Sequence, residues 1–203
     1  MKYISTRNSS KTFNFKEVFI KGLADDGGLF IPKSLNKFSE AEIDSFKKLS
    51  YQDLAKNIIF SFIGEFMSEN DLSRIIDKSY SVFREKNVVK LVKVGDRSIL
   101  ELFHGPTLAF KDIAMQFLGN LFEYVLAKSG KELNVLGATS GDTGSSAEYA
   151  MKGKNGIRIF MLSPHGKMTE FQTAQMFSLQ DPNIFNISIR YPTIPASPIS
   201  HNF

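Results

Sequence analysis

Two short apolar runs, NVLGA at 134 to 138 and IRIFMLS at 157 to 163, bracket a glycine-rich loop, TSGDTG at 139 to 144, and a helical stretch at 145 to 152. Strand, helix and strand in that order form a βαβ unit, whose strands run parallel because the helix returns the chain to the same end of the sheet. NVLGA reads as a buried strand. In parallel sheets ligands collect beyond the carboxyl ends of the strands, and TSGDTG falls there. Gly141 and Gly144 permit backbone geometry that other residues resist. Consecutive amides, with Thr139, Ser140 and Thr143, are therefore able to converge on an anion at the start of the next helix. A carboxylate and a phosphate fit equally well, and a plain glycine turn between strand and helix is the alternative. The Gly-Lys-Ser/Thr ending of a Walker A loop is absent.

A second segment, HGPTLAFKD at 104 to 112, places Lys111 where a turn becomes a helix striped with Ile113, Phe117, Leu118, Leu121, Phe122 and Val125. A lysine that condenses with an aldehyde must react as the free amine, whereas an unperturbed ammonium titrates near ~10.4. Apolar neighbours such as Leu108, Ala109 and Phe110 favour the neutral form by desolvation, and a helix N-terminus does so by its dipole. Asp112 works the other way by retaining the proton. For a lysine taken at random, a solvated surface ammonium is the ordinary reading.

The run ELFHGPTLAFKDIAMQFL at 101 to 118 resembles the lysine segment of the threonine synthase family. GLADDGGLFIP at 22 to 32, GATSGDTGSSA at 137 to 147 and SPHGKMTEFQTAQM at 163 to 176 agree with it, in the order that family has them. The resemblance extends to about residue 187. It implies an α/β protein: an N-terminal helical region followed by three-layer parallel-sheet units of the tryptophan synthase β-like class (fold type II of the pyridoxal phosphate enzymes), in truncated form. It further implies pyridoxal 5'-phosphate as cofactor, with Lys111 as the catalytic Schiff-base lysine and Ser140, Asp142 and Thr143 beside the cofactor. Thr139, Ser140, Gly141, Gly144 and His104 are then expected toward the substrate. That substrate is O-phosphohomoserine, converted with water to L-threonine and phosphate. A related phospho-lyase on another amino-alcohol phosphate and a non-catalytic fragment are the competing expectations. His104 reads either as a cofactor or phosphate contact or as a loop histidine satisfied by nearby backbone. Lys167 reads either as a phosphate-neutralising cation or as a solvated lysine.

Domain expectations follow from the change of pattern along the chain: a mostly helical region over 1–87, an incomplete cofactor-binding α/β region over 88–187, and an atypical tail over 188–203. In the first region a short strand over 2 to 6 and a helix over 15 to 23 are expected. Ser39 with Glu42, Ser50 with Asp53 and Ser68 with Asp71 mark helix starts near 40, 51 and 69. Residues 88 to 94 and 97 to 103 flank Gly95 and Asp96 as a hairpin. Beyond NIFNIS, the prolines 192, 195 and 198 rule out a central strand. They suggest truncation or a shifted reading frame, with a loose tail.

Composition narrows the partners. Among 203 residues, 25 basic and 21 acidic side chains give +4, and the basic ones are dispersed rather than gathered in a stripe, so nucleic acid is not an expected partner. Cysteine is absent, which excludes disulfides and thiolate metal sites. With three histidines and no close pair, no metal is expected. Apolar stretches such as NIIFSFIG are too short to span a bilayer, and the N-terminus has no signal-peptide core. No membrane partner is expected, and cytoplasmic residence is.

Overall fold

The computed structural model describes residues 1–190. It divides into two compact units, Met1–Ser81 and Val82–Phe203. The described part is mixed α/β, with a parallel sheet in the second unit.

In the first unit, β1 (Tyr3–Ser5) leads to α1 (Phe15–Lys21), β2 (Phe30–Pro32), α2 (Glu40–Phe46), α3 (Tyr51–Ile63) and α4 (Glu69–Tyr80). The three serine caps behave as expected, each hydroxyl accepting from the amide three residues on. Only Ser39 forms the reciprocal box, because Glu42 reaches back to the Ser39 amide at 2.7 Å. Asp53 meets the Ser50 hydroxyl at 2.6 Å instead, its side chain being one methylene shorter. The region is less purely helical than expected, since β1 and β2 pair antiparallel from Tyr3 with Pro32 to Ser5 with Phe30. The turn at Asp26, Gly27 and Gly28 is stitched to β1: Asp26 Oδ1 accepts from Ser5 Oγ at 2.7 Å and from the Gly28 amide at 2.9 Å. These two hydrogen bonds, Ser5 foremost, hold the Asp26 carboxyl below its ordinary range.

The second unit opens with an antiparallel hairpin, β3 (Lys90–Val94) and β4 (Arg97–Glu101), turning at Gly95 and Asp96. Val88, expected to begin the first strand, is instead fully buried in a turn at φ 64°. Helix α5 (Asp112–Ser129) follows and ends on left-handed Gly130. Then come β5 (Leu133–Ala138), α6 (Asp142–Met151), β6 (Ile157–Pro164), α7 (Glu170–Phe177) and β7 (Ile184–Ile189). The three strands run parallel in the order β5, β6, β7.

One face of this sheet carries the core. Ile157, Ile159 and Met161 of β6 pack with Leu126, Ala147, Met151 and Met176 from α5, α6 and α7. The other face carries Leu136, 72% exposed, together with Phe185 and Ile187. The expected burial of 134 to 138 is therefore corrected to an alternating pattern. Helices α5, α6 and α7 pack on one face, and every second residue of β5 turns away from them.

Three further differences have local causes. The buried face of α5 begins with Asp112, Gln116, Gly119 and Asn120, while Ile113, Phe117 and Leu118 of the expected apolar stripe are only half-buried. Close helix approach explains part of this, because a Cβ added at Gly119 would lie 2.3 Å from the Ala150 carbonyl oxygen of α6. Helix α6 starts three residues earlier than its apolar pattern implies, directly out of the glycine loop. Strand β7 continues through Ser188 and Ile189, so the change of character expected at 188 falls inside a strand. The proline-rich remainder, 191 to 203, lies outside the described residues.

Glu148 of α6 has no exposed surface and its Oε1 meets no hydrogen-bond partner. Asn186 Nδ2 approaches Oε2 at 3.5 Å and donates to the Met176 carbonyl at 3.0 Å. Burial pushes the Glu148 carboxyl up to about 7, against a smaller opposing effect of the Asn186 contact.

Two stability predictions follow from this packing. Gly119→Ala should lower stability by about 1 to 3 kcal/mol, read as a lower urea midpoint, because the methyl meets backbone rather than a yielding side chain. For Glu148 the folded-state value lies above the unfolded one, so its contribution is full below the unfolded value near 4.5 and declines up to about pH 7. Glu148→Gln should abolish that decline. Relative to the wild type, the variant should gain on the order of 3 kcal/mol between pH 4.5 and 7.5 in urea titrations.

Candidate functional site

Strand β5 ends at Ala138 and the chain enters the 139 to 144 loop, where the Thr139 hydroxyl acts as a post. Its Oγ1 accepts from the amides of Gly141 at 3.0 Å and Gly144 at 2.9 Å, and its hydrogen is directed to the Gly141 carbonyl at 3.2 Å. Gly141 adopts φ 147°, and a Cβ on Gly144 would lie 2.4 Å from Thr139 Cγ2. Thr139, Gly141 and Gly144 thus spend their polar groups on one another. Ser140, Asp142 and Thr143 are exposed. Asp142 and Thr143 lie in the first turn of α6, where amides have no partner within the helix.

Sequence reasoning missed Gln172. Its Nε2 donates to Asp142 Oδ1 at 2.8 Å, and its amide group fills the space over Gly141 that a Cβ would take. Gln172 also closes a capping box with Thr169 at the start of α7. The Thr-x-x-Gln spacing at 169 to 172 is a sequence signal for that helix start, although not for the contact with Asp142. A concavity of about 330 Å³ lies beside the loop, lined by Ala138, Thr139, Ser140, Leu162, Ser163, Pro164 and Ile189. It occupies the carboxyl ends of all three strands.

Lys111 is half-buried at the N-cap position of α5, with φ −63° and ψ −22°. Its Nζ stands 4.7 Å from the centre of the Phe110 ring. The expected pull of Asp112 on this amine is not realised as an ion pair. Asp112 has no exposed surface, and its two oxygens accept from Thr107, Oδ2 from the amide and Oδ1 from the hydroxyl, both at 2.7 Å. Thr107 Oγ1 also lies 3.0 Å from Ser146 Oγ of α6. Its carbonyl accepts from Gln175 Nε2 of α7 at 2.9 Å. The lysine turn and the glycine loop are therefore both fastened to α6 and α7.

His104 is engaged elsewhere. Its Nε2 lies 3.0 Å from Glu101 Oε2, and its ring packs on Phe103 with centres 4.8 Å apart. Lys167 is an exposed residue in the turn after β6. Among the described residues, no helix is long and apolar enough to cross a membrane.

The chain is similar to known proteins along most of its length. Residues 2–80 match the family model described as the threonine synthase N terminus. Threonine synthase of Methylobacillus glycogenes is 51% identical over 200 residues, covering 94% of this chain and 42% of that protein. The crystal structure of threonine synthase from yeast superposes with a TM-score of 0.89 at 45% identity, covering 94% of this chain and 40% of that one. The chain is similar to threonine synthases over nearly all of its length. It corresponds to the N-terminal part, spanning about two fifths of the length of the relatives it matches. A further threonine synthase structure, from Brucella melitensis and described as bound to PLP, superposes at a TM-score of 0.87 and 39% identity, over 93% of this chain and 41% of that one.

If Thr139 is the post of the loop, Thr139→Val should release two amides at once. Hydrogen exchange at Gly141 and Gly144 should accelerate by about tenfold or more, while exchange in the β6 core stays at its wild-type rate.

Proposed function

We propose that this chain supplies the amine and the anion-gripping loop of a threonine synthase-type site that uses pyridoxal 5'-phosphate. The reaction would convert O-phosphohomoserine and water to L-threonine and phosphate. The observation that carries this reading is the fastening of the Lys111 turn and the 139 to 144 loop to the same two helices, with Ser140, Asp142 and Thr143 left outward. The residues fit the cofactor in two respects: a half-buried lysine at a helix start, and first-turn amides of α6 beside a concavity at the strand ends.

When bound, pyridoxal phosphate supplies an electron sink for charge developing on the substrate carbons. Lys111 would hold the cofactor aldehyde through its Nζ and, as a free amine, would move protons at the α and β carbons of the substrate. Phosphate leaves from the γ carbon and water adds at the β carbon. Ser140, Thr143 and the first-turn amides of α6 would hold the substrate carboxylate, fixing which bonds stand in line with the π system. Asp142, tied to Gln172, would sit beside the cofactor. We assign Thr139, Gly141 and Gly144 the shaping of the loop, and give His104 no direct part, since Glu101 occupies its Nε2. A small-molecule reaction of this kind suits a cytoplasmic setting.

Incubation with pyridoxal phosphate, borohydride reduction and peptide mapping tests the assignment. The reduced adduct should concentrate on the peptide that contains Lys111 and disappear in Lys111→Ala. An adduct spread evenly over exposed lysines such as Lys131 and Lys167 would remove the basis of the proposal.

A further inference from the structure

We propose that Thr107 is the positioning residue for Lys111, keeping the adjacent Asp112 carboxylate away from the amine. The inference deepens the reading of Lys111 as the aldehyde-reactive lysine and rests on it. Thr107 is 3% exposed and joins three helices through four polar contacts. Its amide and hydroxyl both donate to Asp112 at the first position of α5. Because the hydroxyl hydrogen is committed to the carboxylate, the Ser146 hydroxyl must donate to Thr107 Oγ1. Its carbonyl takes the Gln175 amide. Between Thr107 and Lys111 the chain bends sharply, with Leu108 at φ 67°, and short-range hydrogen bonds run from Leu108 to Gly105 and from Asp112 to Ala109.

This arrangement has a chemical consequence beyond holding a turn. In sequence Asp112 is the carboxylate next to Lys111, and a carboxylate brought against an amine makes it retain its proton. Thr107 occupies both oxygens, and among the described residues Asp112 makes no ion pair with Lys111. Without the hydroxyl, one oxygen is released while the buried carboxylate still requires a donor. The cation adjacent to it in sequence is Lys111. Thr107 thus governs whether Lys111 presents a free amine, without itself touching the reacting atoms.

The test is reductive methylation of the full chain with formaldehyde and cyanoborohydride, the Lys111 rate being normalised to Lys131 and Lys167 over a range of pH. Thr107→Val, close in shape but lacking the hydroxyl, should slow Lys111 by about tenfold at pH 8 and move its pH–rate profile to higher pH. Thr107→Ser should restore both. Equal rates and profiles in wild type and Thr107→Val would overturn the inference. Should Thr107→Val lose its cooperative unfolding transition, Ser146→Ala carries the same test with an expected slowing of about threefold, and an unchanged rate there overturns it equally. Methylation requires no pyridoxal phosphate. A wild type that takes no cofactor adduct at Lys111 would defeat the functional reading, whereas an unresponsive methylation profile would defeat the role of Thr107.

Discussion

A carboxylate with no exposed surface needs hydrogen bonds to both oxygens, and Asp112 obtains them from a single residue five positions earlier. That requirement folds 107 to 112 into a closed turn, places Lys111 at the mouth of α5 and sets where the helix begins. It also explains why the buried face of α5 opens with polar side chains. The Asp112 environment must be enclosed for its bonds to be strong, so the helix rotates that side toward α6, and Ile113 and Phe117 are left half-buried. Gly119 allows the resulting close approach, with its missing Cβ admitting the Ala150 carbonyl.

Much of the scaffold is legible residue by residue. Ser39, Ser50 and Ser68 announce their helices because a capping hydroxyl acts on an amide three positions away, an interaction wholly contained in local sequence. Asn14 with Glu17 and Thr169 with Gln172 carry the same signature and form complete boxes. The βαβ unit is legible for a similar reason, since strand, loop and helix each have their own periodicity. Strand β2 has only three residues and is defined by its partner β1. Strand β7 owes its place to register with β6, from Ile159 with Ile184 to Pro164 with Ile189. Pairing at that distance leaves little trace in composition. The one-sided burial of β5 was hidden for a related reason, because a short apolar run reads alike whether one face or both are covered.

In the candidate site the residues stand out by type, while their division of labour depends on contacts between distant segments. Thr139 and Thr143 look interchangeable in TSGDTG. Only the fold turns Thr139 inward onto the Gly141 and Gly144 amides and leaves Thr143 exposed. Asp112 beside Lys111 suggests an ion pair on sequence grounds, and Thr107 changes that outcome through bonds that no spacing rule anticipates. Gln172 lies thirty residues from Asp142 and is joined to it by one side-chain bond.

The loop's internal economy of donors bears directly on how it could hold an anion. A glycine-rich turn with every amide free would be adaptable, but it would lose conformational entropy on binding and could present its donors in several arrangements. Here the two glycine amides are already bound to Thr139, and Gln172 fixes Asp142 from the α7 side. What remains outward is a small set: the Ser140 and Thr143 side chains and the opening turn of α6. The backbone that carries them is held by Thr139 and Gln172 before any ligand arrives. Preorganised donors of this kind favour one ligand geometry over others, because reorienting them would break bonds inside the protein rather than bonds to water. Glu148 lies on the same helix six residues further along, buried and short of partners. Helix α6 therefore joins an exposed end to an interior carboxyl whose ionisation is opposed by the core.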